Sequence, residues 1–232
     1  MSYLNQMLFG IFPYVAISVF LLGSLVRFER EQYTWKSGSS QLLSRRRMVW
    51  ASNLFHIGIL GLFAGHVVGL LTPIYVFDAI GISHAAKQML AIVVGGVFGV
   101  MCLIGLVMLV WRRLTDPRIR ATSTPMDITI LFLILAQLLL GLISIPFSLA
   151  HADGSTMVLF MEWAQRIVTF RGGAADLIEG VPLVFKLHLL LGLIIFLVFP
   201  FSRLVHIWSA PIGYLGRRYQ VVRTRRRPAS AS

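Results

Sequence analysis

Five long runs of apolar residues limit most strongly how this chain can fold. They lie at about 4–26, 49–72, 88–111, 127–149 and 181–208, and we call them segments I to V. Each exceeds the roughly 20 residues that a helix needs to cross a bilayer. Because unpaired backbone groups are costly in lipid, such runs cross as helices. The sequence therefore predicts an all-α polytopic membrane protein, a bundle of five transmembrane helices.

The composition agrees with this class and excludes others. Hydrophobic residues make up 57% of the 232 residues, charged residues 13%, and the mean hydropathy is +0.80. A net charge of +12 would suggest nucleic-acid binding in a soluble domain. Here the basic residues lie between apolar segments, so topology explains them and we expect no nucleic-acid partner. Cys102, the single cysteine, excludes an internal disulfide, a cysteine-ligated iron–sulfur cluster and a multi-thiolate zinc site.

Basic residues indicate the orientation in the membrane. Three regions, the I–II connection, the III–IV connection and the tail, hold most of the 21 lysines and arginines. These are Arg27, Arg30, Lys36, Arg45, Arg46, Arg47, Arg112, Arg113, Arg118, Arg120, Arg203, Arg217, Arg218, Arg223, Arg225, Arg226 and Arg227. The opposite side carries only Lys87, Arg166, Arg171 and Lys186. By the positive-inside rule, the N-terminus is outside (periplasmic) and the C-terminus is cytoplasmic.

The chain divides into a membrane domain, 1–211, and a basic cytoplasmic tail, 212–232. The tail is low in apolar residues, and we expect it to contact acidic lipid or a partner. Segment I shows neither a basic leader nor a cleavage site, so we expect it to remain as a helix, kinked near Pro13. In the IV–V connection, residues 155–170 predict an amphipathic helix on the outer surface, followed by a flexible Gly-rich turn.

Two of the apolar segments each contain two histidines. His56 and His66 lie in segment II, and His188 and His206 lie in segment V. A titratable ring in hydrocarbon is costly and marks a functional site, and neutral imidazole is a common ligand of metals and haem iron. Since the two segments run in opposite directions, His66 pairs with His188 near the outer face and His56 with His206 near the cytoplasmic face. This layout suits two flat cofactors that form a transmembrane electron path.

The spacing of the histidines does not fit two straight helices. Ten residues separate His56 from His66, about 15 Å along a helix, whereas eighteen separate His188 from His206, about 27 Å. Tilted helices or a kink at Pro200 would reconcile the two. The histidines could instead hydrogen-bond across helices without a cofactor. Metal transport is a further alternative, but segments II and V contain no Asp or Glu, which such a path usually needs.

Small and basic residues beside the histidines have two interpretations each. Gly58, Gly61, Gly65 and Gly69 of segment II either allow close helix packing or make room for a cofactor. Lys87, at the outer start of segment III, either extends its ammonium to the surface or donates a hydrogen bond to a quinone. His84 and His151 lie in outer loops, where we expect solvated side chains.

Several stretches resemble the gamma subunit of membrane-bound respiratory nitrate reductase, a dihaem cytochrome b anchor. They are QYTWKSGSSQLL (32–43), ASNLFHIGILGLFAGHVVGLLTP (51–73), GVMCLIG (99–105), RATSTPMDI (120–128), IPFSLAHADG (145–154), TFRGGA (169–174) and KLHLLLGLIIFLVFPFSRLVHIWSAP (186–211). The resemblance covers nearly the whole chain and both histidine pairs.

The resemblance implies a five-helix bundle with two haems b in the bacterial inner membrane. His66 and His188 would ligate the outer, distal haem, and His56 and His206 the inner, proximal haem. Ubiquinol or menaquinol would be oxidised near the distal haem, around Gly65, His66 and Lys87, with protons released outside. Electrons would pass to an iron–sulfur beta subunit and then to a molybdenum-containing alpha subunit in the cytoplasm. Nitrate itself would not contact this chain, so no residue has a catalytic role in its reduction.

Three questions stay open at this point. Arg203 either reaches a propionate of the proximal haem or is an ordinary cytoplasmic anchor. A related cytochrome b serving a heterodisulfide- or sulfite-type reductase is an alternative function, although the motif FPFSRLVHIWSAP (199–211) favours nitrate reductase. A cofactor-free anchor or carrier, in which the histidines only hold helices together, is the alternative from another class.

Overall fold

The computed structural model describes residues 3–35, 45–150, 153–209 and Gly216, without the side chains of 45–47. In this part of the chain the secondary structure is helical and no strand occurs. Five of its helices are long and apolar enough to cross a membrane, which confirms the predicted all-α, five-span class. We number the main helices α1 (Tyr3–Arg30), α2 (Arg45–Leu71), α3 (His84–Thr115), α4 (Pro125–Leu149), α5 (Ser155–Val168) and α6 (Leu183–Val198). Lys36, His151 and the basic residues of the tail lie outside the described residues.

Polar caps determine where two of the helices, α3 and α4, begin. The Ser83 hydroxyl accepts a hydrogen bond from the Ala86 N–H at 3.2 Å, so α3 begins at His84. Thr124 and Asp127 form a reciprocal capping box at the start of α4, which satisfies two otherwise unpaired N–H groups. His84 is therefore in the first helical turn rather than in a loop. Its ring is half-exposed, with Nε2 3.3 Å from Asp78 Oδ1.

The spanning helices pack in the order α2–α3–α4–α6–α1. The contact between α2 and α3 is the closest because glycines occupy it. A Cβ at Gly58 would lie 2.6 Å from the backbone nitrogen of Cys102, and one at Gly105 would lie 2.8 Å from the Ala51 carbonyl oxygen. Only glycine permits this approach of two helix backbones, which confirms the packing interpretation at this level of the bundle.

The predicted amphipathic helix is confirmed as α5, but it is more deeply packed than a surface helix. Trp163 is among its buried side chains. A π-helical turn, Met7–Ile11, precedes Pro13 in α1, and since proline has no N–H, the Phe9 carbonyl lacks its usual helical donor. Trp163 Nε1 donates to that carbonyl at 3.0 Å. Gln165 donates to the Leu70 and Thr72 carbonyls at the end of α2, so α5 covers the end of the bundle where α2 ends, which the sequence predicts to be the outer one.

Segment V is broken rather than merely kinked. Helix α6 ends at Val198, a 3₁₀ turn follows at Phe199–Phe201, Ser202 is extended, and a second 3₁₀ stretch covers Arg203–Ser209. Pro200 removes a backbone donor, so the α-helical ladder stops there. The straight-helix spacing of His188 and His206 is therefore wrong, and His206 lies in a separate turn.

Candidate functional site

The structure brings the two histidines predicted to lie near the outer face close together. His66 lies on α2 and His188 on α6, with ring centroids 6.1 Å apart and ring planes inclined by 37°. Both rings line one cavity together with Met157 and Phe160 of α5, so the pair lies in the half of the bundle that α5 covers. The predicted pairing of His66 with His188 is thus what the fold provides.

The four segment histidines share one hydrogen-bonding pattern. In each, Nδ1 is bonded to a backbone carbonyl oxygen, which can only accept. The partners are Ser52 for His56 at 2.7 Å, Leu62 for His66 at 2.7 Å, Gln137 for His188 at 3.2 Å and Arg203 for His206 at 2.6 Å. Nδ1 is therefore the protonated nitrogen, and in a neutral ring Nε2 carries the lone pair. Metal-binding histidines are commonly oriented by such an Nδ1–H bond.

The distance between the outer rings fits a shared metal ligand. A nitrogen binds a metal at about 2 Å, so two imidazoles on opposite sides of one iron put their ring centroids about 6 Å apart. His66 and His188 are at 6.1 Å. Within the described residues no group of three or more His, Cys, Asp and Glu side chains could hold a bare metal ion. A histidine pair is enough for haem iron, because the macrocycle supplies the remaining ligands, so these residues fit haem.

In the second predicted pair, His56 and His206, only one of the two residues lies on an α-helix. His56 is on α2, and its Nδ1 is also 3.1 Å from the Ser52 hydroxyl. His206 is in the turn Arg203–Ser209.

A cavity of about 320 Å³ lies beside the outer pair and is lined by both rings, by Lys87 and by several glycines. A Cβ at Gly65, Gly69 or Gly95 would meet nothing within 4 Å. The segment II glycines therefore differ with depth: those near Cys102 pack helices, whereas those near His66 border open space, and its use by a cofactor stays a prediction.

Lys87 points into the protein and does not extend to the surface. Its side chain is buried, with 5% of the residue exposed. Its Nζ donates to the Gly69 carbonyl at 3.0 Å, contacts the Met161 sulfur at 2.6 Å and lies 4.2 Å from the centre of the Phe77 ring. The ammonium group is thereby held at the edge of the cavity that His66 lines.

Gln137 of α4 belongs to this site and was not predicted from the sequence. The backbone carbonyl of Gln137 accepts a hydrogen bond from His188 Nδ1. In its side-chain amide, Nε2 lies 3.4 Å from His188 Nε2, and Oε1 is buried with no hydrogen-bond partner among the described residues. A Cβ at Gly141 would lie 3.0 Å from His188 Cε1, so glycine there lets the ring approach α4. The available signal was that Gln137 is the one amide in segment IV.

An ionic cluster lies next to the inner pair. Asp127 is 3.7 Å from both the Arg203 and the Arg113 guanidinium groups. The sequence did not predict Asp127 or Arg113 as neighbours of Arg203. Arg203 has a carboxylate partner here, and its two expected roles, contact with a haem propionate and cytoplasmic anchor, stay predictions.

Comparisons with known proteins show the family of this chain. The family described as "Nitrate reductase gamma subunit" matches residues 5–225. This chain belongs to the nitrate reductase gamma subunit family. It is 56% identical over 225 residues to the respiratory nitrate reductase 2 gamma chain of Escherichia coli, and the matched residues cover 97% of this chain and 99% of the Escherichia coli chain. It is 40% identical over 221 residues to the nitrate reductase gamma chain of Bacillus subtilis, covering 95% and 99%.

A more distant relative bears on the alternative reductase. The Hdr-like menaquinol oxidoreductase cytochrome b-like subunit of Archaeoglobus profundus is 25% identical over 214 residues, covering 88% of this chain and 59% of that protein. The lower identity and coverage favour nitrate reductase over that type of complex. The nitrate reductase gamma subunit is a multi-pass inner-membrane cytochrome b and one subunit of an oxidoreductase complex.

Proposed function

We propose that this chain is the quinol-oxidising dihaem subunit of a respiratory nitrate reductase. His66 and His188 ligate the outer haem, and His56 and His206 ligate the inner haem. The observation that carries the proposal is the distance of 6.1 Å between the ring centroids of His66 and His188, which suits two imidazole ligands of one iron. The shared Nδ1 hydrogen bonds support the same role for all four.

Bound haem supplies reversible one-electron transfer through its iron. The contribution of this chain is to orient the ligands and exclude water. Each backbone carbonyl that accepts from Nδ1 fixes the tautomer and the ring plane, so that Nε2 keeps the lone pair that binds a metal. At His188 the Gln137 amide, 3.4 Å from Nε2, would have to move aside. The open side of Gly65, Gly69 and Gly95 leaves a surface on which a flat group fits.

Quinol oxidation is proposed at the cavity bordered by Gly65, His66 and Lys87. A quinol, ubiquinol or menaquinol, loses two electrons and two protons to become a quinone. The Lys87 ammonium donates hydrogen bonds, so it can bind a quinone or quinol oxygen at the cavity edge. The apolar lining suits the ring. Protons leave on the outer side, because α5 and the start of α3 are assigned there by the positive-inside rule.

Electrons leave the chain on the cytoplasmic side, from the His56–His206 level, to an iron–sulfur beta subunit and then to the molybdenum-containing alpha subunit. The basic connections that carry Arg113 and Arg118 support this orientation, with the N-terminus periplasmic and the C-terminus cytoplasmic. Ten residues of α2 separate the two levels, about 15 Å of helix, so the two histidine pairs divide the path across the bilayer.

The test compares His66→Ala with His206→Ala in membranes that contain the whole complex. His66→Ala removes the outer haem and the adjacent quinol site, so quinol should no longer reduce any haem. His206→Ala removes only the inner haem, so quinol should still reduce the outer haem while nitrate reduction by quinol stops. An artificial donor that feeds the cytoplasmic subunits directly should restore nitrate reduction in both variants.

The reverse pattern, in which only His206→Ala abolishes haem reduction by quinol, would invert the assignment of the two sides. Pyridine haemochrome analysis of the purified wild-type chain provides the independent check, with an expected content of two haems. The contact of Gln137 with His188 favours the second candidate, a cofactor-free anchor held together by histidines. A visible spectrum without haem bands would decide for that candidate.

A further inference from the structure

The segment that carries His206 is not held by helix geometry. His56, His66 and His188 lie within regular α-helices, whereas His206 follows the break at Pro200 and the extended residue Ser202. A separate turn can move relative to α6 unless other parts of the chain fix it. The contacts of this turn therefore decide where the His206 ring lies.

Arg27, in the last turn of α1, bonds directly to the break. Its Nη1 donates to the Pro200 carbonyl at 2.6 Å and to the Ser202 carbonyl at 2.8 Å. On its other side, Nη2 donates to the Thr34 carbonyl at 3.0 Å and Nε to the Thr34 hydroxyl at 3.4 Å. One planar guanidinium thus connects Thr34, which follows α1, to the carbonyls at both ends of the Pro200–Ser202 break. A lysine ammonium could not make these bonds in the same geometry.

The end of the turn, at Trp208 and Ser209, is also held by residues of α1 and of the segment that follows it. Trp35 Nε1 donates to the Ser209 hydroxyl at 2.6 Å. Within the turn, the Trp208 ring stacks on Phe20 of α1 at a centroid distance of 5.4 Å. The His206 turn is therefore fixed at its start by Arg27 and near its end by Phe20 and Trp35, all of which belong to α1 or follow it closely.

We infer that Arg27 is a positioning residue for His206, acting through the Pro200 and Ser202 carbonyls. This inference rests on the proposed ligation of the inner haem by His206. Without the guanidinium, two carbonyls lose their charged donor and the turn loses its fixed starting point. His206 then no longer meets the iron in the orientation that His56 requires. The outer site does not depend on this contact, since both of its histidines are on helices.

The experiment measures Arg27→Gln in membranes containing the full complex, with Arg30→Gln as the matched control. Arg30 is exposed and three residues further along the same helix. Haem content, the low-spin electron paramagnetic resonance signals and redox titration are read for each protein. We expect Arg27→Gln to lose or shift the inner-haem signal, with haem content falling towards half, while the outer-haem signal stays unchanged. Arg30→Gln should match the wild type.

A second variant, Trp35→Phe, removes the N–H donor to Ser209 while keeping a smaller aromatic ring, and should perturb the same inner signal to a smaller extent. Two unchanged haem signals and potentials in Arg27→Gln would overturn the inference and leave the proposed function standing. Loss of both haems together would also overturn it, because Arg27 would then act on the stability of the whole bundle. Absence of haem from the wild-type protein would instead refute the proposed function.

Discussion

Two glycines of α3 should respond in opposite ways to the same substitution. At Gly105, an added Cβ would lie 2.8 Å from the Ala51 carbonyl oxygen and 2.9 Å from the Phe55 Cα. Both are backbone atoms of α2, which cannot turn away as a side chain could. At Gly96, the nearest atom is the Ile145 Cδ1 at 3.8 Å, an ordinary van der Waals contact. Gly105→Ala must therefore separate two helices, whereas Gly96→Ala need not move anything.

The size of the effect follows from the difference between the two variants. Replacing glycine by alanine within a helix stabilises it by up to about 1 kcal/mol, and this gain cancels because both positions lie inside α3. What remains is the overpacking cost at Gly105, about 1–3 kcal/mol. For a chain of this length, each 1 kcal/mol shifts the unfolding temperature by about 2–4 °C. We expect Gly105→Ala to unfold roughly 2–12 °C below Gly96→Ala.

Thermal unfolding of the purified, haem-saturated proteins in one detergent measures this difference. Haem content should be recorded in parallel, because a bound cofactor itself stabilises the folded state. Equal unfolding temperatures at equal haem content would show that α2 and α3 are not in backbone contact at Gly105, and the glycine packing argument would be wrong.

Three further predictions concern the two proposed haem sites. Gly95→Leu fills open space beside His66 and should reduce the outer-haem absorbance without loss of the inner haem; an unchanged spectrum would mean that this space is not used. Arg203→Gln removes a positive charge near His206 and should lower the inner-haem potential by on the order of tens of millivolts, whereas an unchanged potential in redox titration would exclude an electrostatic role. Truncation after Tyr214 should leave both haems bound, and a haem-free truncated protein would contradict the division of the chain at residue 211.

The elements that local sequence determines were predicted well. Apolar length predicted the five spans, and apolar–polar alternation predicted α5. Pro200 indicated an interruption, although not the separate turn that follows it. A proline removes one donor, but the path of the chain afterwards depends on what accepts and donates around the break. Here that is Arg27, whose partners lie 173 and 175 residues away, a distance no local pattern encodes.

In the candidate site, too, features that depend on local sequence were predicted and features that depend on distant contacts were not. Histidine residues in hydrocarbon are conspicuous because they are costly, so the sequence singled out all four. The structure brings His66 and His188 close together, as antiparallel topology predicted, and the pairing of His56 with His206 stays a prediction. Gln137 and Asp127 were missed, because their roles depend on how α4 rotates against α6 and on where the Arg203 turn lies. The sequence left Lys87 open between surface and interior, because its buried position depends on partners from other elements: the Gly69 carbonyl, the Met161 sulfur and the Phe77 ring.

The glycines of α2 explain why a cavity forms beside His66. At Gly58, α2 and α3 are in backbone contact, while at Gly65 and Gly69 an added Cβ would meet nothing within 4 Å. The two helices must therefore separate towards the end that carries His66. Lys87 spans this opening from α3 to the Gly69 carbonyl of α2. A bulkier residue at Gly58 would push the helices apart at their contact and change the width of the opening as well. The tight and the open glycines thus act together: close contact at one depth sets the angle that makes room at the other.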